Sequence, residues 1–424
     1  GNNNSDNPAV SGDGRYTVFV SDATNLVSGD TNVARDVFIF DNQTSTTRRL
    51  SLSQQGVEAN RGSSNPAISG DGRYVAFASD ATNLVLNDRN GFTDIFVVDV
   101  ITGAISRESI PTAGSEANGS SFRPALSGDG RYLVFESNAI NLSALATLGT
   151  TQIYLRDRIL GMTVLVSQSS AGTAGNAASL QAAISADGRY VAFASDSTNL
   201  VSADTNDVRD IFVRDVTGNT TSRASVAAGG VQANGASRAP SINRNPGAAS
   251  DGRYIAFSSE ATNLVASDTN GVSDIFVYDR GAATPTTTRV SVSSAGAQGT
   301  DPTNGSGAVT GSSLGSINPS ISASGRYVAF SSLANNLTSG DDAGQYSPTD
   351  NNGALDVFVM DRDVTSAGVF DAPGNIKTSM VSVNRFGYQT LRILGVPSTA
   401  ASDIYPAISG DGRWVAFSSD ADGA

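Results

Sequence analysis

The chain has 424 residues and a formal charge of -13, from 40 acidic and 27 basic side chains, with no cysteine and no histidine. That charge argues against nucleic acid as a partner, and the missing Cys and His exclude disulfides, thiolate nucleophiles, the usual zinc sites and histidine-based triads. No apolar run approaches membrane-spanning length, so no membrane insertion is expected, and the acidic, Asn/Ser/Thr/Gly-rich composition points to an extracellular or cell-surface protein, periplasm included.

One pattern, Pro-Ala-Ile-Ser-Gly-Asp-Gly-Arg-Tyr-Val-Ala-Phe with small variations, recurs along the whole chain. Its arginines are Arg15, Arg73, Arg131, Arg189, Arg253, Arg326 and Arg413. The repeats begin near residues 8, 66, 124, 182, 240, 319 and 406. Units this short cannot stand alone and must stack, so residues 1–424 are expected to form a single domain.

The second repeat shows the elements in order. Pro66 to Ser69 is a short apolar strand, and Gly70-Asp71-Gly72 is a turn. Arg73 to Ser79 alternates and is rich in β-formers, which predicts a second strand. A polar loop leads to a third strand over Asp94 to Asp99. Thr102-Gly103 marks a hairpin, and Ala104 to Ile110 is the fourth strand. No sustained 3.6-residue period occurs, so almost no helix is expected.

Four antiparallel strands per repeated unit predict an all-β fold, a β-propeller. The elements Ser-x-Asp-Gly-Arg-Tyr-Val-Ala-Phe and Asp-Ile-Phe-Val resemble the WD40-like propeller repeat (PD40) of the TolB family over nearly the whole chain. The resemblance implies the fold. For function it implies only a range, from binding scaffolds to propellers attached to serine peptidases. The aromatics fit framework: Tyr74, Phe77 and Phe96 and their counterparts recur in nearly every repeat.

Six repeats hold all four strands, while the seventh stops after its second, so a seven-bladed ring with one half blade is expected. Three readings account for the half blade. The chain is a segment of a longer polypeptide, a neighbouring molecule completes the blade, or six blades close the ring and the hairpin packs outside it. An unpaired strand edge recruits other strands, which makes a homo-oligomer or fibre a specific expectation.

The loops between second and third strands carry oxygen ligands at recurring places. Asp-x-Asn occurs as Asp30/Asn32, Asp88/Asn90, Asp204/Asn206 and Asp268/Asn270. Asp36, Asp94, Asp210 and Asp274 open the third strands, and Asp22, Asp80, Asp196 and Glu260 end the second. The sixth repeat keeps Asp350, Asn352 and Asp356. Hard oxygens at alternate loop positions suit Ca²⁺, which takes six to eight of them. The third repeat has Gln152 in place of the strand-opening Asp and lacks Asp-x-Asn, so the candidate ligands vanish together. The same residues also serve as Asx-turns and strand caps, and that alternative stays open. The Asp-x-Asn loops are expected to share a face with the blade-to-blade crossings near Asn60, Asn118, Asn176, Asn234 and Asn304.

The long insertions fall in repeats five and six and carry Tyr346, Phe370, Phe386, Tyr388 and Tyr405, candidates for a protein interface. Every notable Asp recurs around the ring, whereas a catalytic carboxylate pair should be singular, and no Gly-x-Ser-x-Gly elbow occurs. The expectation is therefore a non-catalytic secreted or surface scaffold, calcium-stiffened, that binds a protein partner. The alternatives are a subunit of a self-assembling fibre and, third, a carboxylate-based glycan-active enzyme.

Overall fold

A computed structural model describes residues 1–145, 149–300, 315–338, 355–383 and 405–419. Blade one contains β1 (Ser5–Val10), β2 (Tyr16–Ser21), β3 (Asp36–Asp41) and β4 (Thr46–Arg49). Blade two contains β5 (Ser63–Ile68), β6 (Tyr74–Ser79), β7 (Asp94–Asp99) and β8 (Ile105–Arg107). Blade three contains β9 (Ser121–Leu126), β10 (Tyr132–Ser137), β11 (Gln152–Asp157) and β12 (Met162–Leu165). Blade four contains β13 (Ser179–Ile184), β14 (Tyr190–Ser195), β15 (Asp210–Asp215) and β16 (Thr220–Arg223). Blade five contains β17 (Ser237–Ile242), β18 (Tyr254–Ser259), β19 (Asp274–Asp279) and β20 (Thr286–Arg289). Blade six contains β21 (Ser316–Ile321), β22 (Tyr327–Ser332), β23 (Asp356–Asp361) and β24 (Lys377–Met380). A final two-stranded sheet pairs β25 (Ala407–Ile408) with β26 (Val415–Ala416). In every complete blade the strands pair antiparallel in chain order. One 3₁₀ turn, Ala228–Gly230, is the only helical element among the described residues.

The third strands explain their own composition. Strand β7 is buried at all six positions, because it lies inside its sheet and both faces meet neighbouring blades. A strand buried on both faces reads as a continuous apolar run, as Ile95-Phe-Val-Val98 does. Across each blade's centre two aromatics stand opposite each other. Phe77 faces Phe96 with ring centroids 6.0 Å apart, and Phe135 faces Tyr154 at 5.9 Å. Burying each such ring contributes about 1.5–3 kcal/mol.

Two boundaries differ from the sequence expectation. Strand β5 starts at Ser63, ahead of Pro66, because pairing resumes upstream of a bulge at Asn65, whose φ is 49°. The bulge recurs at Asn7, Arg123, Gln181, Ala239 and Asn318. The polar residues around it hide the strand from a hydrophobicity reading. Strand β8 ends at Arg107, because Ser109 turns its hydroxyl to Asp94 and leaves the ladder.

The blades are keyed by glycine. A Cβ on Gly72 (φ +74) would lie 2.7 Å from Tyr16 of the preceding blade, so the residue must be small as well as left-handed. The same contact links Gly412 to Tyr327, and Gly14 to Trp414. The two-stranded sheet therefore touches blade six on one side and blade one on the other. Backbone bonds agree: Ala323 N–H donates to Gly410 O at 2.9 Å, and Asp411 N–H to Gly12 O at 3.3 Å.

Candidate functional site

The Asp-x-Asn loops and the crossings meet, as the sequence suggests. Asn60 N–H donates to Asn83 Oδ1 at 3.0 Å, and Asn83 Nδ2 donates to Glu58 O at 2.8 Å. Asn118–Asn141, Asn176–Asn199 and Asn234–Asn263 repeat the first bond, and Asn304 lies outside the described residues. At blade one, Asn2 takes the crossing's place and its N–H bonds Asn25 at 2.9 Å.

Behind these loops the candidate ligands divide into two groups. The Asp-x-Asn and strand-opening aspartates converge, and what they converge on is an arginine. Arg49 Nη1 lies 3.0 Å from Asp30, 3.3 Å from Asp36 and 2.7 Å from Glu58. Arg107 Nη1 lies 2.9 Å from Asp88, 3.2 Å from Asp94 and 2.9 Å from Glu116. Arg223 meets Asp204 at 3.3 Å and Asp210 at 3.2 Å, with Gln232 Oε1 at 2.6 Å. Arg289 meets Asp268 at 3.0 Å and Asp274 at 3.4 Å. The asparagines are braces: Asn90 donates to Asp94 and to Ala117 O, Asn206 to Asp210 and Ala233 O, and Asn270 to Asp274 and Gly299 O. Asn32 does the same with Asp36 and Ala59 O.

The strand-ending acids stand apart from these clusters. Asp196 pairs with Arg209 at 2.7 Å, Asp22 with Arg35 at 3.8 Å, and Glu260 with Arg238 at 3.6 Å. Asp80 accepts from the Thr93 hydroxyl at 2.6 Å. In blade six Asp356 accepts from Ser382 at 2.6 Å, and Met380 occupies the fourth-strand place of the arginine. Asp350 and Asn352 lie outside the described residues.

The arrangement does not fit a calcium ion. Calcium needs six to eight oxygens at about 2.3–2.6 Å, and here the convergent oxygens face a guanidinium. Among the described residues no three acidic, His or Cys side chains are placed to hold a metal. Blade three completes the argument. Gln152 replaces the aspartate, and Leu165 replaces the arginine in the same register, opposite Tyr154. Gln152 Oε1 accepts from Ser167 at 2.7 Å, and its Nε2 donates to Ala177 O at 2.8 Å, so a neutral amide does the bracing. Acid and base disappear together because each is there for the other. The signal was in the sequence: Arg49, Arg107 and Arg223 each follow the strand-opening Asp by 13 residues, and Arg289 by 15.

Each cluster holds more carboxylates than guanidinium. Burial, and then the neighbouring Asp94, push the Asp88 carboxyl up to about 6. Burial and Asp274 push Asp268 up to about 6. Burial also raises Asp36, Asp94, Asp204, Asp210 and Asp274. Glu58 moves the other way, down to about 2, held by the Thr31 hydroxyl and backbone N–H and by Arg49.

On the opposite face the repeat arginines pair with the aspartates that close the third strands. Arg73 reaches Asp99 at 2.9 Å and Arg131 reaches Asp157 at 2.7 Å. Arg73 also lies over the Tyr74 ring at 5.0 Å, and Arg158 covers that ring at 4.6 Å.

Of the inserted aromatics, Phe370 packs within the chain. Its ring centroid lies 5.5 Å from that of Tyr254, and Arg362 stacks on it at 4.8 Å. Phe370 therefore packs against blade five, the alternative to an interface role for it. Tyr405 is half-buried. Tyr346, Phe386 and Tyr388 lie outside the described residues.

No protein-family model and no curated protein matches the sequence. Solved structures do. An oligogalacturonate lyase in complex with manganese aligns with a TM-score of 0.51 and 13% identity, over 98% of this chain and 85% of that one. In fold, this is a β-propeller of four-stranded antiparallel blades. TolB from Acinetobacter baumannii is similar with a TM-score of 0.39 and 15% identity, over 68% of this chain and 54% of that one, about half its length. A putative TolB from Agrobacterium tumefaciens gives 0.43 and 16%, over 90% and 97%. Identities this low show a fold alone. Among the described residues no helix is long and apolar enough to cross a membrane.

Proposed function

We propose that the chain is a non-catalytic scaffold that presents its loops to a protein partner. The observation that carries this reading is ion pairing: Asp30, Asp88, Asp204 and Asp268 each face an arginine of their own blade. A catalytic carboxylate should be singular and open to substrate, and these are repeated and paired. The arginines supply the positive charge, so the loops are stiff without calcium. The acidic, Asn/Ser/Thr/Gly-rich composition is what supports a secreted or cell-surface site of action.

The test is turnover. Incubation with oligogalacturonate, with and without manganese, should leave the substrate intact. Product release would overturn the reading and restore the glycan-active alternative.

A second reading, a fibre subunit, is favoured by one observation. Strand β26 pairs only with β25 among the described residues, and strands paired on one edge can recruit others. Sedimentation over a hundredfold concentration range separates the two readings: a single sedimenting species supports the lone scaffold, and growth supports the fibre.

A further inference from the structure

The first strands line the axis, each packed on the first strands of its neighbours. The turns that follow them join into a belt. Gly12 N–H donates to Gly70 O at 2.9 Å, Asp71 N–H to Gly128 O at 3.0 Å, and Gly128 N–H to Ala186 O at 2.8 Å. The Ala186 and Asp187 N–H groups reach the Asp251 carboxylate at 3.1 and 2.8 Å, and Asn243 Nδ2 reaches Ala323 O at 2.8 Å. The belt is tight: a Cβ on Gly12 would lie 2.8 Å from Gly70 O, and one on Gly128 would lie 3.1 Å from the Ala186 Cβ.

Two departures from the repeat meet in this belt. Blade five stretches the turn to Asn243–Gly252, six residues more than Ser69–Gly72 of blade two. Asn243 takes the serine's place, since its Oδ1 accepts Tyr254 N–H as Ser69 Oγ accepts Tyr74 N–H. The next residue is Arg244, where the other turns have glycine or alanine. In blade six the departure is opposite in charge. Ser324 stands where every other turn carries an aspartate. The bond from Asn243 to Ala323 joins the residues just before these two, so the added cation and the missing acid are neighbours.

Arg244 has no counter-charge of its own. Among the described residues its guanidinium makes no hydrogen bond or ion pair. The acid of its turn, Asp251, is taken by the N–H groups of Ala186, Asp187 and Asn245. On the far side of blade five, Asp187 spends its Oδ1 on the Ser185 hydroxyl and Arg189 N–H. Burial pulls the Arg244 guanidinium below the ordinary arginine range, while part of the residue stays open to solvent. Enclosed charges are paired as a rule, as Arg49, Arg107, Arg223 and Arg289 are.

We propose that the recess between the Arg244 and Ser324 turns binds a small oxyanion, a carboxylate or a phosphate, through the Arg244 guanidinium and the Ser324 hydroxyl. The guanidinium offers parallel N–H groups that match two oxygens of either anion. Ser324 is exposed and its oxygen accepts Arg326 N–H at 3.3 Å, which leaves the hydroxyl proton free to donate. An aspartate there, as in the other turns, would repel the ligand. The site lies on the face opposite the Asp-x-Asn loops and stands independently of the scaffold reading.

Calorimetric titration of the whole chain with inorganic phosphate, and separately with malonate, at fixed ionic strength tests the proposal. One saturable site per chain is expected. Tighter binding of malonate assigns a carboxylate ligand, and tighter binding of phosphate a phosphate. Arg244→Gln should weaken binding about tenfold or more, the loss of one charge-assisted pair. Ser324→Asp restores the residue of the other turns, so the fold is kept, and it should weaken binding comparably. Arg61→Gln, at an exposed arginine in a crossing on the opposite face, should leave binding unchanged. No saturable binding of either anion overturns the proposal. Binding that neither Arg244→Gln nor Ser324→Asp weakens, or that Arg61→Gln weakens equally, also overturns it.

Discussion

Arg107 on β8 lies 3.2 Å from Asp94 at the head of β7, and the pair is buried from solvent. Asp88 and Glu116 share the same Nη1 atom, so removing the arginine strands three carboxylates. Arg107→Leu should cost about 3–5 kcal/mol, the range for breaking a buried ion pair from one side. Chemical denaturation measures it.

Blade three supplies a substitute for that pair. Copying Gln152 and Leu165 into blade two gives Asp94→Gln with Arg107→Leu. The double variant should be less destabilised than the two single changes sum to, by about 0.5–3 kcal/mol of coupling. A four-variant denaturation cycle checks it. Strict additivity would mean that the two side chains act independently.

How the sequence carried this site is instructive. The repeat, its turns and its aromatics made the propeller legible, because the same strand pattern serves every blade. Asp30, Asp88 and their counterparts were legible as a set, since blade three loses them together. Their partner was not, because Arg49 and Arg107 lie on a different strand and stand next to each other only after the hairpin folds. For Phe370 the sequence left two readings open, packing or interface, because nothing in an insertion's composition says whether it reaches Tyr254. The early start of β5 was hidden by Asn65, which belongs to a bulge.

The pH dependence follows from the crowded carboxylates. Asp88 and Asp268 have folded values near 6, above their ordinary 3.8. Folding opposes their charged forms, so their contribution to stability falls as pH rises from about 4 through 6. Asp41, held by Arg15, and Glu58 sit near 2, so their contribution is lost as pH falls below about 4. The melting temperature should therefore be higher at pH 5 than at pH 7, and fall again toward pH 2. Asp88→Asn with Asp268→Asn should flatten the upper slope. Thermal scans across pH test both statements.

Inter-blade threonines give a paired prediction. Thr163→Val removes the donor to Ile110 O, a bond of 2.6 Å, and should cost about 1–3 kcal/mol by leaving a carbonyl unmet. Thr47→Val removes no such bond and should cost less than about 0.5 kcal/mol. Equal losses would mean that Thr47 is already engaged.

The central claim is that arginine, not a metal ion, is the cation paired with the four acidic clusters. Calcium titration by calorimetry on the chelator-treated protein tests it most directly, with melting followed in parallel. The account predicts no saturable heat in the micromolar range and a melting temperature unchanged by chelator or calcium. Stoichiometric micromolar binding, with a rise in melting temperature that tracks it by mass action, would contradict it.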